Sequence, residues 1–395
     1  MILTYKYRYY PTKKQMVYIN NTFAIIKKYW NRLLKEKIMI YKESGQVYNH
    51  LIKDVMICDE YISNDKYDVY GVQNSIMQLN DLYERNVKSN KPLKLKSDLD
   101  QNTYFINNYK NRISIEGNNI YISKLGNIRV SYSRPIPKDA IIKKATIIKT
   151  KTMKYYICIS FKIERTTQKD DLNINKAVGL DFSISNLYVD SNGNKGKQII
   201  LNEEIKKYYN KLNVLYDSLH RKKYGSSNYK KTYLKILKIY EHIKNKRNDY
   251  LHKESHRIVN KYDVIAIESL NLKEMASSPY VNKKTGNQFK LGKRVYDASY
   301  ARFLLFLEYK SELYGKRLIT VDERFPSSQI CFTCGYINKE TKQFNKKTII
   351  CPQCGKIYDR DINAAKNIKK EGIRLIKSKD SKWKSTLLYF CVNII

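Results

Sequence analysis

The sequence of 395 residues predicts a multidomain α+β protein, in which helices interrupt a β-rich unit and a metal-binding module interrupts an α/β domain. Three observations predict this organisation. Apolar residues recur at helical spacing in residues 12–88, and short alternating strands with Gly-Asn turn signals occupy residues 99–165. From about residue 176, buried strands alternate with long helices, and two Cys-x-x-Cys pairs lie near the end of that pattern.

The N-terminal part combines one strand, a helical region and an all-β unit. Residues 2–10 alternate and are rich in β-formers, which predicts a strand, and residues 12–88 predict a small helical bundle. Residues 99–165 predict an all-β unit that suits a small barrel, with a turn at Lys151 between two strands. The first strand can join this unit, which leaves the helical bundle as an insertion.

The C-terminal part predicts strands that alternate with helices. Strands are expected within residues 176–190, 263–270 and 316–322. Helices are expected over residues 203–222, 227–261, 297–315 and 361–376. The polar, basic stretch 276–296 predicts a loop, and residues 377–395 form a basic run with an apolar end.

The charge is strongly positive. Lys and Arg total 75 against 37 Asp and Glu, which gives a net charge of +38. Such a field attracts polyanions, with nucleic acid as the first candidate and an anionic membrane as the second. No stretch approaches the roughly 20 apolar residues that span a membrane, and the N-terminus lacks a signal-peptide core, so we expect an intracellular protein. Ribosomal-type RNA binding would explain the charge equally well.

Four of the seven cysteines form two pairs of the form Cys-x-x-Cys-Gly: Cys331, Cys334, Cys351 and Cys354. Two sulfurs from one tight turn can reach the same ion, and a tetrahedral thiolate cage is the structural site that Zn²⁺ prefers. Four sulfurs leave no open position for water, so this Zn²⁺ is expected to stabilise the fold rather than catalyse. The alternative is two unrelated thiol pairs. The remaining Cys58, Cys158 and Cys391 are expected to be buried or free thiols.

Three acids lie at the ends of predicted elements. Asp181 and Glu268 end buried strands, and Asp361 begins a helix. Each alone fits a helix cap or a solvated residue, but together they can converge on one site. Such a triad can hold two Mg²⁺ ions, one to activate water and one to stabilise the leaving 3′ oxygen of a phosphodiester; Mn²⁺ can substitute. Asp359 competes for the third role, and we prefer Asp361 because Asn363 and the two alanines after it suit close helix–sheet packing.

Several segments together resemble a known family. They are YKYRYYPTKKQ, YISKLGNIRV, GLDFSISNL, IAIESLNLKEM, PSSQICFTCG with CPQCG, and DRDINAAKNI, in this order along the chain. The chain resembles TnpB, also called OrfB, the RNA-guided DNA endonucleases that insertion sequences encode. These proteins are related to compact type V CRISPR effectors. The resemblance covers nearly the whole chain.

The resemblance implies a domain organisation. It implies a wedge-like β-barrel, a helical recognition insertion, a RuvC-like nuclease domain of the RNase H fold and an inserted zinc ribbon that binds target nucleic acid. The implied bounds are 1–11 and 89–172 for the barrel, 12–88 for the recognition domain, 173–328 and 357–378 for the nuclease, 329–356 for the ribbon and 379–395 for a C-terminal tail.

The resemblance also implies roles for particular residues. Asp181, Glu268 and Asp361 match the RuvC-like triad, and the four cysteines match the ribbon ligands. A mobile loop at 276–296 is expected to cover the cleft. Ser269 stands where many relatives carry an acid, on the strand face opposite to the catalytic Glu, so little consequence is expected.

The implied function is cleavage of target DNA by two-metal hydrolysis, directed by a guide RNA from the transposon end and by a short motif beside the target. A monomer is expected, cytoplasmic in a bacterium or nuclear in a eukaryotic or viral relative. Two alternatives stay open: a nuclease-inactive RNA-guided repressor of the same family, and a compact type V CRISPR effector. Repressors of this kind typically lose triad acids, and all three are present here.

Overall fold

The computed structural model describes most of the chain in two compact units, residues 1–164 and 165–395. The described residues are 2–51, 66–89, 91–97, 101–116, 119–137, 139–164, 172–182, 186–198, 202–269, 279–281, 288–290, 299–339 and 347–378. Between 270 and 298 only the backbone of two short segments is described. Within the described part, no helix is apolar over a length that would cross a membrane.

The described part of the first unit contains two α-helices and eight strands. The helices are α1 (Lys13–Ser44) and α2 (Val69–Lys88). The strands are β1 (Ile2–Tyr9), β2 (Asn102–Asn107), β3 (Ile113–Glu116), β4 (Asn119–Ile122), β5 (Gly126–Ile128), β6 (Val130–Ser131), β7 (Ile141–Lys149) and β8 (Tyr155–Lys162).

Five of these strands form an antiparallel sheet in the order β2-β7-β8-β1-β6, and β3, β4 and β5 form a separate three-stranded sheet. The predicted strand pair is confirmed, since Lys149 pairs with Tyr155 across the turn. The first strand does join the β-unit, because β1 pairs with β8 along its whole length. The barrel is not confirmed: among the described strands, β2 and β6 are the edges of an open sheet.

Helix α1 begins where its sequence predicts. The Thr12 hydroxyl accepts a hydrogen bond from the Gln15 N–H, and the Gln15 side chain accepts one from the Thr12 N–H, a reciprocal pair that caps the helix. The helix ends at Gly45, whose φ of 68° suits a residue without a Cβ. The prediction of helices in 12–88 is confirmed for α1 and α2, while residues 52–65 lie outside the described ranges.

The second unit contains four helices and nine strands in its described part. The helices are α3 (Glu203–His220), α4 (Ser227–Lys261), α5 (Tyr300–Leu313) and α6 (Arg360–Lys377). The strands are β9 (Ala177–Asp181), β10 (Asn186–Asp190), β11 (Lys195–Lys197), β12 (Val264–Glu268), β13 (Pro279–Val281), β14 (Gln288–Lys290), β15 (Arg317–Val321), β16 (Thr348–Ile350) and β17 (Ile357–Asp359).

The central sheet of this unit has the order β11-β10-β9-β12-β15. Strands β9, β12 and β15 are parallel, and β10 is antiparallel to β9. Alternate residues point to opposite faces. Val178, Leu180, Ile265 and Ile267 pack against α4 and α5 on one face. The other face, which includes Ala266, packs against α6.

Helix α6 lies unusually close to the sheet. A Cβ added to Gly179 would lie 2.0 Å from the carbonyl oxygen of Ala365, and one added to Gly372 would lie 2.5 Å from the Cβ of Ala266. Both distances are far below van der Waals contact, so these positions accept only glycine in this arrangement. The small residues therefore fix the height and register of α6 on the sheet.

The prediction that residues 276–296 form a loop is wrong in part. Strands β13 and β14 pair as a short antiparallel hairpin, with Pro279 opposite Lys290. Each strand has only three residues, which is too short to show an alternating apolar pattern in the sequence. The rest of this stretch, and the tail 379–395, lie outside the described residues.

Candidate functional site

Two of the predicted acids end adjacent parallel strands. Leu180 of β9 pairs with Ile267 of β12, so Asp181 and Glu268 follow paired residues at the same end of the sheet. Neighbouring strands lie about 4.8 Å apart. Asp181 continues the strand face of Gly179, and Glu268 continues that of Ala266. Because α6 covers this face, both carboxylates point to the side of the sheet on which α6 lies.

The third predicted acid, Asp361, lies in the first turn of α6 and is only 7 % exposed. Its competitor Asp359 has another task. One Asp359 carboxylate oxygen accepts hydrogen bonds from the N–H groups of Asp361 and Ile362, at 2.9 and 3.1 Å, and caps the helix. The capping role that Asp361 could have had by sequence thus belongs to Asp359, which leaves the Asp361 carboxylate available to the cluster.

Asp181 interacts electrostatically with both of the other acids. Burial raises the pKa of Asp181 well above its usual range, and the negative charges of Asp361 and Glu268 raise it further. Burial also raises the pKa of Glu268, to about 7. The Arg360 guanidinium acts in the opposite direction on Asp181 and lies 3.5 Å from the Asp361 carboxylate. Arg360 adjoins Asp361 in the chain, but no sequence pattern marks it as part of the site.

The donor set of this cluster suits a hard divalent cation. It consists of carboxylate oxygens, which Mg²⁺ prefers, and a cation would offset the mutual repulsion that raises the pKa of Asp181. The acids are not gathered as tightly as the cysteines: within the described part of the chain, the four cysteine sulfurs are the one group of such ligand atoms that lie close enough together to share a single ion. The wider spacing of the carboxylates still suits two ions about 4 Å apart, because ligands on the outer sides of such a pair can be separated by about 8 Å.

The four predicted cysteines meet in space. Their sulfurs lie within 4.8 Å of one another, with 3.8 Å between Cys331 and Cys354 and 3.6 Å between Cys334 and Cys351. A tetrahedral Zn²⁺ with bonds of about 2.3 Å separates its sulfurs by about 3.8 Å, so the residues fit this ion. Cys158 is buried in the first unit, and burial raises its pKa to about 11. Cys58 and Cys391 lie outside the described residues.

The two cysteine turns repeat the same hydrogen bonds. The Gly335 N–H donates to the Cys331 carbonyl, and the Gly355 N–H donates to the Cys351 carbonyl. Both glycines have positive φ, 80° and 67°, which explains why each pair is followed by glycine. Two matching turns thus bring the four sulfurs into one cluster, with Cys331 and Cys351 buried and Cys334 and Cys354 exposed.

Two residues of α6 have a role that the sequence did not reveal. The alanines after Asn363 do pack closely on the sheet, as expected, but the Asn363 side chain instead bonds the backbone of Ile330 and Phe332 beside Cys331. Asn367 bonds the same segment. These partners lie more than 30 positions away in sequence, and no local pattern marks them. Ser269, which follows Glu268, is held by its backbone: its N–H donates a hydrogen bond to the Val321 carbonyl at 2.9 Å.

Three family models match the chain. One described as "Probable transposase" (OrfB of IS605) matches residues 160–278, one described as "Cas12f1-like, TNB domain" matches residues 300–368, and a "Helix-turn-helix domain" of OrfB matches residues 1–46. In that last range the structure has strand β1 and the single long helix α1 rather than two helices joined by a turn.

Relatives match along most of the chain. A Streptomyces pristinaespiralis protein named as an RNA-guided DNA endonuclease is 24% identical over 384 residues, 93% of this chain and 89% of its own length. TnpB-like protein L79 of Acanthamoeba polyphaga mimivirus is 30% identical over 60% of this chain, and the match spans 46% of that protein.

A solved structure has a similar fold. The protein in a cryo-EM structure of a Cas12f1-sgRNA-target DNA complex superposes with a TM-score of 0.56 at 14% sequence identity, covering 93% of this chain and 98% of that one. At this identity the likeness concerns the fold alone.

Proposed function

This chain belongs to the TnpB (OrfB) family, and we propose on that premise that it is an RNA-guided DNA endonuclease. We infer that it binds a guide RNA derived from a transposon end, recognises a short motif beside its target, and cleaves target DNA as a monomer. The relatives named as RNA-guided endonucleases support this class of activity. A host cytoplasm, or the nucleus of a eukaryotic host, is the proposed location.

The observation that carries this proposal is the electrostatic coupling of three acids from distant parts of the chain. Asp181 and Glu268 end adjacent parallel strands, and the negative charge of Asp361 from α6 reaches Asp181. A group of three partly or fully buried acids, of which Asp181 and Glu268 have raised pKa values, is uncommon unless it serves a site, since a folded protein otherwise avoids burying like charges together. This supports the assignment of Asp181, Glu268 and Asp361 as catalytic ligands.

The protein groups each have a proposed task in hydrolysis. Asp181, Glu268 and Asp361 would hold two Mg²⁺ ions, which supply an activated water and stabilise the leaving oxygen. The sheet and α6 hold the three carboxylates on rigid elements, so their positions do not depend on a loop. Arg360, beside Asp361, limits the repulsion between the acids before the ions bind.

The four cysteines would hold one structural Zn²⁺, which needs no further ligand. The ribbon around them, residues 329–356, is proposed to contact target nucleic acid. The net charge of +38 supports binding of a long polyanion, and such binding weakens steeply as salt rises because counterions are released.

The test is to purify the protein with its co-expressed RNA, sequence that RNA, and supply DNA that matches its variable end. We expect one defined RNA with a variable 3′ segment and cleavage of the matching DNA in Mg²⁺. A defined RNA with target binding but no cleavage would identify a guide-dependent repressor instead. RNA encoded by a CRISPR array would identify a compact type V effector, and absence of any bound RNA would contradict the proposal.

A further inference from the structure

We propose that the side-chain amides of Asn363 and Asn367 form a latch through which the zinc ribbon sets the position of Asp361. The amide latch consists of these two side chains and the backbone of Ser327, Ile330 and Phe332 to which they bond. Only its effect on cleavage rests on the proposed function.

The latch has four hydrogen bonds. Asn363 Nδ2 donates to the Ile330 carbonyl at 2.7 Å, and its Oδ1 accepts from the Phe332 N–H at 2.9 Å. Asn367 Nδ2 donates to the same Ile330 carbonyl at 2.7 Å and to the Ser327 carbonyl at 2.8 Å. The residues are four positions apart, so both side chains leave one face of α6.

The first pair of bonds encloses a zinc ligand. Ile330 and Phe332 flank Cys331 in the chain, and the Asn363 amide pairs with them as a neighbouring strand would. The Cys331 sulfur in turn lies 3.8 Å from that of Cys354 in the ribbon cluster. The position of residues 330–332 therefore depends on the four-cysteine site. Through the latch, a change in that position displaces α6.

Both amides are well buried, at 3 % exposure each, and buried amides require partners. If the segment 330–332 moved, Asn363 and Asn367 would lose the partners the structure gives them. Asp361 lies two residues before Asn363 in the same rigid helix and must move with it. On its other side, α6 is fixed by the contact of Gly179 with Ala365. The ribbon and the sheet thus clamp the first turns of α6 between them.

The variants are Asn363→Ala, which removes one pair of bonds, and Asn367→Ala, which removes the other. Lys370→Ala is the matched control, because Lys370 is exposed on the same helix. In the full-length complex, we expect Asn363→Ala to retain its zinc, to exchange amide hydrogens of residues 359–366 about tenfold faster, and to cleave about 10- to 100-fold more slowly at saturating target. Lys370→Ala should match the wild type in all three.

The decisive measurement combines the variant with removal of zinc by a chelator that spares Mg²⁺. In the wild type, chelation should accelerate exchange in residues 359–366 by about tenfold, whereas in Asn363→Ala it should add less than about twofold, because the connection is already broken. An equal acceleration in both proteins would overturn the proposal, since the ribbon would then act on α6 by another route. A loss of fold stability alone would not produce this dependence on zinc.

Two controls keep the outcome interpretable. If Asn363→Ala does not fold, Asn367→Ala replaces it in the same comparison. This variant breaks only half of the latch, so chelation should accelerate exchange by clearly less than the tenfold expected for the wild type, and an acceleration equal to that of the wild type would contradict the latch. If the wild-type complex does not cleave matched DNA, the proposed function fails, but hydrogen exchange with and without zinc still decides the latch.

Discussion

The second unit contains two clusters of potential metal ligands that differ in how closely their atoms are held. The sulfurs of the four cysteines lie within 4.8 Å of one another, and two of the pairs have separations of 3.6 and 3.8 Å, near those of a zinc cage. The carboxylates of Asp181, Glu268 and Asp361 share one end of the sheet, but they are not gathered so tightly. The cysteine cluster is compact enough for four ligands to share one ion. The acid cluster is more widely spaced and negatively charged.

The difference teaches how each cluster depends on its ions. The four cysteine sulfurs lie together where matching backbone turns hold them. Burial, and then the negative charges of Asp361 and Glu268, raise the pKa of Asp181, so an open arrangement of these carboxylates costs less until cations bind. A site that stabilises a fold can be closed, whereas a site that must admit a phosphate needs open positions.

The largest effect is expected from substitutions in the acid cluster. Asp361→Asn, Asp181→Asn or Glu268→Gln should each reduce target cleavage by more than about 1,000-fold, because each removes a charge that no neighbour replaces. Guide RNA binding should change less than twofold, roughly the range of a surface change. Cleavage of a matched plasmid and RNA retention on purification measure the two. Any of these variants that cuts at the wild-type rate shows that its residue is misassigned.

The next effect breaks the cysteine cluster. Cys351→Ser should lose bound zinc and lower the free energy of unfolding of the second unit by about 4 kcal/mol or more, as expected for the loss of a structural metal. Metal analysis and thermal melting measure this. Cys158→Ala, a buried cysteine of the other unit, should keep its zinc. Unchanged zinc content and melting temperature in Cys351→Ser would contradict a shared site.

The third expected effect is a dependence of ion binding by the acid cluster on pH. Burial raises the pKa of Glu268 from its usual value to about 7, so in the ion-free protein Glu268 is mostly protonated at pH 6 and mostly charged at pH 8. Because the unfolded chain loses this proton near pH 4.5 and the folded chain near pH 7, ion-free stability should fall between these two pH values and then level off, and ion affinity should rise as Glu268 becomes charged. We expect Mn²⁺ counted by electron paramagnetic resonance to bind at least about tenfold more tightly at pH 8 than at pH 6. Equal affinity at the two pH values would exclude Glu268 as a ligand.

The smallest effect separates the two neighbouring aspartates. Asp359→Ala should cost about 1 kcal/mol of stability through loss of the helix cap, whereas Asp359→Asn should keep the cap and the stability. Both should retain cleavage within about tenfold, unlike Asp361→Asn. Chemical denaturation and the plasmid assay measure these. Complete loss of cleavage in Asp359→Asn would show that Asp359, and not Asp361, is the ion ligand.

The sequence predicted those features that depend on local pattern. Cys-x-x-Cys-Gly marks a turn that directs two sulfurs to one side, and an acid at the end of a buried strand marks the end of a sheet. The strands that carry Asp181 and Glu268 are confirmed as adjacent and parallel, and the cysteines as one cluster. The catalytic roles of the acids stay predictions.

The features that the sequence could not predict depend on distant partners. Asp359 and Asp361 both suit a helix cap, and only the hydrogen bonds of the folded chain decide between them. The role of Asn363 requires knowing that Ile330 and Phe332 lie beside α6. Closure of a barrel depends on whether edge strands β2 and β6 meet, which alternation within each strand does not encode.

The contact of Gly179 with Ala365 also constrains the gene. Because a single methyl group at residue 179 would collide with the backbone of α6, every amino-acid replacement there should displace the helix that carries Asp361. All four codons that begin with GG encode glycine, so the third base of this codon is free to drift while the first two are fixed. A substitution at this codon should therefore disturb the proposed site, even though glycine has no side chain of its own.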